Sequence, residues 1–201
     1  MKRTLLLLVA ATATVGLTGC SSADEQPATP ASTTSSPAAT TSADAAAPAD
    51  QRDYPIIGQE ARSDGIAITV RSVSESPTIS VNDSGYTGEF AVFTDRAARD
   101  GGKFVVVDTT VFNDTLRPID ITCAAPIQNT LTTEDQRQYS TVDEQYNIEG
   151  NPGCNDMLQP GFDAAMKFVY EVPTAATPIA FGFADRETSY DKPTYVELVS
   201  E

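Results

Sequence analysis

The sequence predicts an all-β chain, a two-layer antiparallel β-sandwich of seven to eight strands preceded by a disordered linker. Three observations carry this. From about Tyr54 onward apolar residues recur at every second position, the period of a strand with one buried face. Turn residues punctuate the runs at Asn82-Asp83, Asp100-Gly101-Gly102, Asn113-Asp114, Asn151-Pro152-Gly153 and Pro160-Gly161. No window carries the 3.6-residue period of an amphipathic helix, and Asp95 to Asp100 is expected to form at most one helical turn with Asp95 as its N-cap.

The first strand is expected at Gly65 to Val73, with Ile66, Ile68 and Val70 on one face. Phe104 to Asn113 places Val105, Val107, Thr109 and Val111 on one face and Phe104, Val106 and Phe112 on the other. A strand apolar on both faces belongs in the middle of a sheet. Further strands are expected at Pro118 to Cys123, Ile127 to Thr132, Ala164 to Val172, Ile179 to Ala184 and Thr194 to Val199. In the long connection from Tyr86 to Phe93, Glu89 and Phe90 begin an alternation that suits a short extra strand, so Phe90 and Phe93 are expected to fold back onto the sandwich. The other reading makes Tyr86, Phe90 and Phe93 loop anchors for a partner. Tyr139 and Tyr146 carry the same two readings, anchor or packing layer.

The N-terminus is built as an export signal. Met1-Lys2-Arg3 supplies positive charge, Leu5 to Val15 is an apolar run too short to span a bilayer, and Leu17-Thr18-Gly19-Cys20 ends the segment. That ending resembles the bacterial lipobox, in which cleavage leaves an acylated cysteine as the first residue. The resemblance implies a signal peptide over residues 1–19, lipidation at Cys20, and a protein held on the extracytoplasmic face of the membrane by two acyl chains. An ordinary secretory cleavage leaving a free thiol is the rival reading. Of the three cysteines, acylation of Cys20 leaves Cys123 and Cys154 as one pair, which an oxidising compartment favours joining.

Residues 20–53 are almost all Ala, Thr, Ser, Pro and Asp, a composition that cannot bury enough apolar area to offset its ordering entropy. They read as a tether spanning roughly 30 Å as a flexible coil, and residues 54–201 as the folded domain. The net charge is -15. Loss of Lys2 and Arg3 on cleavage would take it from -15 to -17. Such a surface repels nucleic acid and anionic headgroups, so membrane contact is expected through the lipid alone.

Gly102 to Asn113, Leu158-Gln159-Pro160-Gly161 and Lys167 to Pro173 together resemble a large, uncharacterised lipoprotein family of Gram-positive, actinobacterial type. Its members look like immunoglobulin-type sandwiches, similar to secreted mycobacterial immunoprotective antigens. The resemblance covers roughly Gly58 to Val199 and implies an immunoglobulin-like fold, but it carries no catalytic residue to transfer. The chain has no tryptophan and so departs from the Cys-Trp-Cys core of antibody domains.

The sequence has no histidine, which removes Ser-His-Asp and Cys-His catalysis and the usual zinc and copper ligands. No enzyme activity and no cofactor are expected. The expectation is an interaction or envelope accessory module with an unknown protein or envelope partner. The alternative is a ligand- or calcium-binding lipoprotein using the acidic loop around Cys154, where Asp143, Glu144, Glu149, Asn151, Asn155, Asp156 and Asp163 are concentrated. Within it Glu149, Asp156 and Asp163 are the weak candidates for metal ligands.

Overall fold

Ten strands build the domain: β1 (Glu60–Ser63), β2 (Ile66–Ser76), β3 (Thr78–Asn82), β4 (Phe93–Ala97), β5 (Gly102–Asn113), β6 (Ile127–Thr133), β7 (Gln138–Tyr139), β8 (Asp163–Pro173), β9 (Pro178–Asp185) and β10 (Thr194–Glu197). The computed structural model describes residues 53–123 and 127–199. The expected signal peptide, Cys20 and nearly all of the tether lie outside the described residues. The first sheet runs β1-β2-β5-β8 and the second β10-β9-β6-β7, with every neighbouring pair antiparallel. After β1 and β2 the chain leaves the first sheet for a separate two-stranded hairpin, β3 and β4, and re-enters it at β5; it then crosses to the second sheet for β6 and β7, returns for β8 and crosses again for β9 and β10. Pairings β5 with β8, β6 with β9 and β9 with β10 follow the B–E, C–F and F–G neighbours of an immunoglobulin sandwich.

The central position expected for Phe104 to Asn113 is observed, since β5 lies between β2 and β8. Val105, Val107 and Val111 are buried in the main core, where they meet Ile66, Ile68 and Val70 from β2 and Phe168 and Tyr170 from β8. The second sheet contributes Ile127, Leu131, Phe181, Phe183 and Val196. The Phe168 and Phe181 rings bridge the layers with centroids 5.2 Å apart. Burial of each large apolar side chain stabilises the fold by about 1.5–3 kcal/mol. Register slips once in β2, between Val70 and Ser72. This bulge turns Val73 to the core side, opposite Val107, so an odd-numbered residue joins the face begun by Ile66.

Where Tyr170 faces the other layer, its hydroxyl donates to Asn129 Oδ1 at 2.8 Å, and burial holds its pKa well above the usual tyrosine value. Phe104 looks the other way. It joins Ile79, Val81, Ile148 and Val169 in a second, smaller cluster, which is why β5 needs apolar residues on both faces.

Several expectations are corrected. Pro118 to Cys123 is not a strand: Ile119 makes one isolated bridge to Leu158, and the Asp120 carboxylate takes the N–H groups of Thr122 and Cys123 that a ladder would need. Asp95 to Asp100 forms no helical turn. Its first residues belong to β4, because Arg96 and Asp95 pair with Ile79 and Ser80 of β3. The strands β1, β3, β4 and β7 add to the expected set; each is only two to five residues long, so β1 and β3 show at most two buried positions, and β4 and β7 show none.

The exposed edge of β8 is closed by side chains. Asn151 Oδ1 accepts from Lys167 N at 2.7 Å, its Nδ2 donates to Lys167 O at 3.0 Å, and Gln145 Oε1 accepts from Val169 N at 3.3 Å. With Val142 N donating to Val169 O, the segment from Val142 to Asn151 replaces a further strand.

Candidate functional site

The antiparallel hairpin of β3 and β4 lies against the outer face of the first sheet. Ile79 and Val81 are buried beneath it, while all five residues of β4 are exposed. Arg99, just after the hairpin, clasps it to β8: its backbone N–H and guanidinium reach the Glu171 carboxylate at 2.6 and 2.7 Å. The Arg99 side chain and N–H hold the Glu171 carboxyl below its ordinary pKa.

At the end of the hairpin the loop is ordered by its own polar groups. Asn82 Oδ1 accepts from Ser84 N and Oγ, Asn82 Nδ2 donates to Tyr86 O, and Ser84 Oγ accepts from Tyr86 N and Val92 N. Arg96 pairs with Asp83 at 2.8 Å. These bonds satisfy the backbone of a loop whose large side chains point away from it. Tyr86 is 66% exposed, Phe90 68%, Val92 59% and Phe93 41%. The expectation that Phe90 and Phe93 fold back is therefore overturned: Phe90 lies in a three-residue helical turn, Gly88–Phe90, and the strand begins only at Phe93, after Val92.

Tyr86 also lines a groove of about 450 Å³ with Asn82 and Asp83 on one side. The opposite wall holds Glu144, Tyr146 and Asn147, from and beside a second short helical turn at Gln145–Asn147. Gly153, Cys154 and Asp156 complete it. Tyr146 is thus a half-buried wall residue, whereas Tyr139 sits on β7 opposite Leu131 and packs against the main core. Of the five aromatic candidates, the structure brings Tyr86 and Tyr146 to one groove, leaves Phe90 and Phe93 on the open side of the loop, and separates Tyr139.

The third wall depends on the disulfide. Cys123 and Cys154 are joined, with their α-carbons 5.2 Å apart. Asp120 gathers the two chain segments around that bond. Its carboxylate is buried and accepts from Thr122 N, Cys123 N and Asn155 N at 3.0, 2.9 and 2.9 Å. Burial by itself would raise its pKa, but the N–H groups of Cys123, Asn155 and Thr122 outweigh that and the net shift is downward. Asp120 was not among the expected residues, although its bond from Thr122 N, two residues on, is the Asx-turn that aspartates favour.

The weak metal candidates do not form a ligand set. Among the described residues, the ligand-type side chains gathered within 4.8 Å are Asp120, Cys123 and Cys154, and the two sulfurs are bonded to each other. Asp156 instead accepts from Gly153 N at 2.8 Å, Asp163 opens β8 opposite Phe112, and Glu149 offers its backbone carbonyl to Lys167 Nζ at 2.7 Å. Asn151 serves the β8 edge and Asn155 serves Asp120.

The chain belongs to the family described as "Domain of unknown function (DUF4352)", whose model matches residues 55–193. No curated protein matches it in sequence. Among solved structures it is similar to an uncharacterized β-sandwich protein from Clostridium difficile 630, with 14% identity and a TM-score of 0.48 over 75% of this chain and 97% of that one. A conserved hypothetical protein from Bacillus anthracis gives 14% identity and a TM-score of 0.47 over 71% and 95% of the two chains. A candidate lipoprotein of Bacillus subtilis gives 16% and 0.42, over 68% of this chain and 36% of that one. Among the described residues no helix is long and apolar enough to cross a membrane.

Proposed function

We propose that this protein is a lipid-anchored, extracytoplasmic immunoglobulin-like binding module that acts without catalysis. The observation carrying the reading is the hairpin loop: four large apolar or aromatic side chains, Tyr86, Phe90, Val92 and Phe93, are held out from a hydrogen-bonded backbone. A loop ordered before binding loses little conformational entropy on contact, and exposed aromatic rings are the side chains that anchor partners. The sandwich gives this loop a rigid base through Ile79, Val81 and the Arg99 to Glu171 clasp.

The lipobox-like Leu17-Thr18-Gly19-Cys20 supports the anchor, and the tether after it supports a domain held off the bilayer. The lack of histidine supports a role in binding rather than in nucleophilic or zinc-dependent catalysis. Cross-linking in intact cells, followed by identification of the attached molecule, tests the reading. Wild type should capture a partner that Tyr86→Ala and Phe90→Ala capture poorly, at nearly unchanged melting temperature. Equal capture by all three proteins would remove this loop from consideration.

A further inference from the structure

We propose that the groove between the β3–β4 loop and the disulfide-pinned loop receives a lysine or arginine side chain from a basic segment of a partner protein. This rests on the reading of the hairpin loop as a binding surface. The walls carry three carboxylates, Asp83, Glu144 and Asp156, and no basic residue. Asp83 is paired with Arg96. Glu144 takes only the Asn147 amide at 3.0 Å, and Asp156 only the Gly153 N–H, so neither negative charge is neutralised by a cation among the described residues.

Tyr86 and Tyr146 line the same groove, and tyrosine rings attract organic cations. A bare metal ion fits poorly, because Glu144 and Asp156 belong to no cluster of ligand atoms within 4.8 Å among the described residues. Tyrosine rings beside the Glu144 and Asp156 carboxylates, which have no cation partner among the described residues, are the chemistry that suits an ammonium or guanidinium group on an apolar stem.

The test titrates the full chain, labelled with nitrogen-15, with a lysine–glycine hexapeptide, a glutamate–glycine hexapeptide and tetra-N-acetylglucosamine. The lysine peptide should shift the amide signals of Tyr86, Tyr146 and Asn147, and added salt should weaken it. Glu144→Gln and Asp156→Asn keep the internal hydrogen bonds but remove charge, and each should weaken binding by roughly two- to five-fold. Tyr86→Leu, which keeps apolar bulk but loses the ring, should weaken it too, and thermal melts of all three variants check that they fold.

Binding of the sugar but not the lysine peptide would overturn the proposal. So would lysine binding that both charge-removing variants retain in full, since that reports only the general acidity of the chain. If capture in cells depends on Tyr86 and Phe90 while the lysine peptide fails to bind, the loop surface stands and the cationic occupant falls. Loss of both results would overturn both readings.

Discussion

Asp120 shows how one side chain can organise a segment that forms no ladder. Its three backbone donors come from both sides of the disulfide, so replacing it disturbs the groove wall as well as the turn. Asp120→Asn should lower stability by about 1–3 kcal/mol, read by urea unfolding, because charge-assisted bonds to buried N–H groups weaken. Asp120 and Glu171 both have lowered pKa values in the folded state, so their contributions are fully present above the unfolded carboxylate range. These contributions are lost as pH falls through the folded values. The melting temperature should therefore drop in acid, and Asp120→Asn should flatten that drop. Tyr170→Phe should cost about 0.5–1.5 kcal/mol, since it removes the hydrogen bond to Asn129.

Among the elements, the covered edge of β8 and the open hairpin contrast most. Asn151 and Gln145 imitate a strand, so Asn151→Ala should raise hydrogen exchange at the Lys167 amide well before exchange rises in β5. Uniform exchange across the first sheet would contradict this. In the second sheet, a methyl at Gly182 would come within 2.7 Å of the Tyr195 ring and 3.0 Å of Thr130 Cγ2. Gly182→Ala should therefore cost about 1–3 kcal/mol through overpacking, measured by thermal or urea unfolding. The alternation of β5, β6, β8 and β9 was legible in the sequence because each buries a full face. The hairpin strands were not. β4 buries none of its residues, so it has no apolar period, and its pairing with β3 appears only when the chain folds.

For the whole molecule, the disulfide joins residues 31 apart in sequence, which the chain-entropy model values at about 3.7 kcal/mol. Reduction should lower the unfolding midpoint yet leave the sandwich, because the main core is drawn from both sheets and does not include either cysteine. Far-ultraviolet circular dichroism with and without reductant checks this, as does the absence of alkylatable Cys123 and Cys154 before reduction. At the membrane, Cys20→Ala should release the protein to the soluble fraction, since no apolar segment follows that position able to hold it. Retention of Cys20→Ala in washed membranes would argue for another anchor.

Periodicity, turn residues and the pairing of cysteines were enough to determine a sandwich with β5 at its centre and Cys123 bridged to Cys154. These features are local or nearly so: a buried strand face writes its period into consecutive residues, and three cysteines, with Cys20 read as the end of an export signal, leave a single pair. Tertiary structure alone decided which aromatics face outward. Phe90 and Tyr139 carry the same two readings in the sequence, loop anchor or packing layer, yet Phe90 is 68% exposed and Tyr139 packs on the core. It also decided the groove, whose walls come from residues 82–87, 144–147 and 153–156. Segments so far apart in the chain meet only through a hairpin laid across a sheet face and a disulfide holding the facing loop, and no spacing within one segment encodes that meeting.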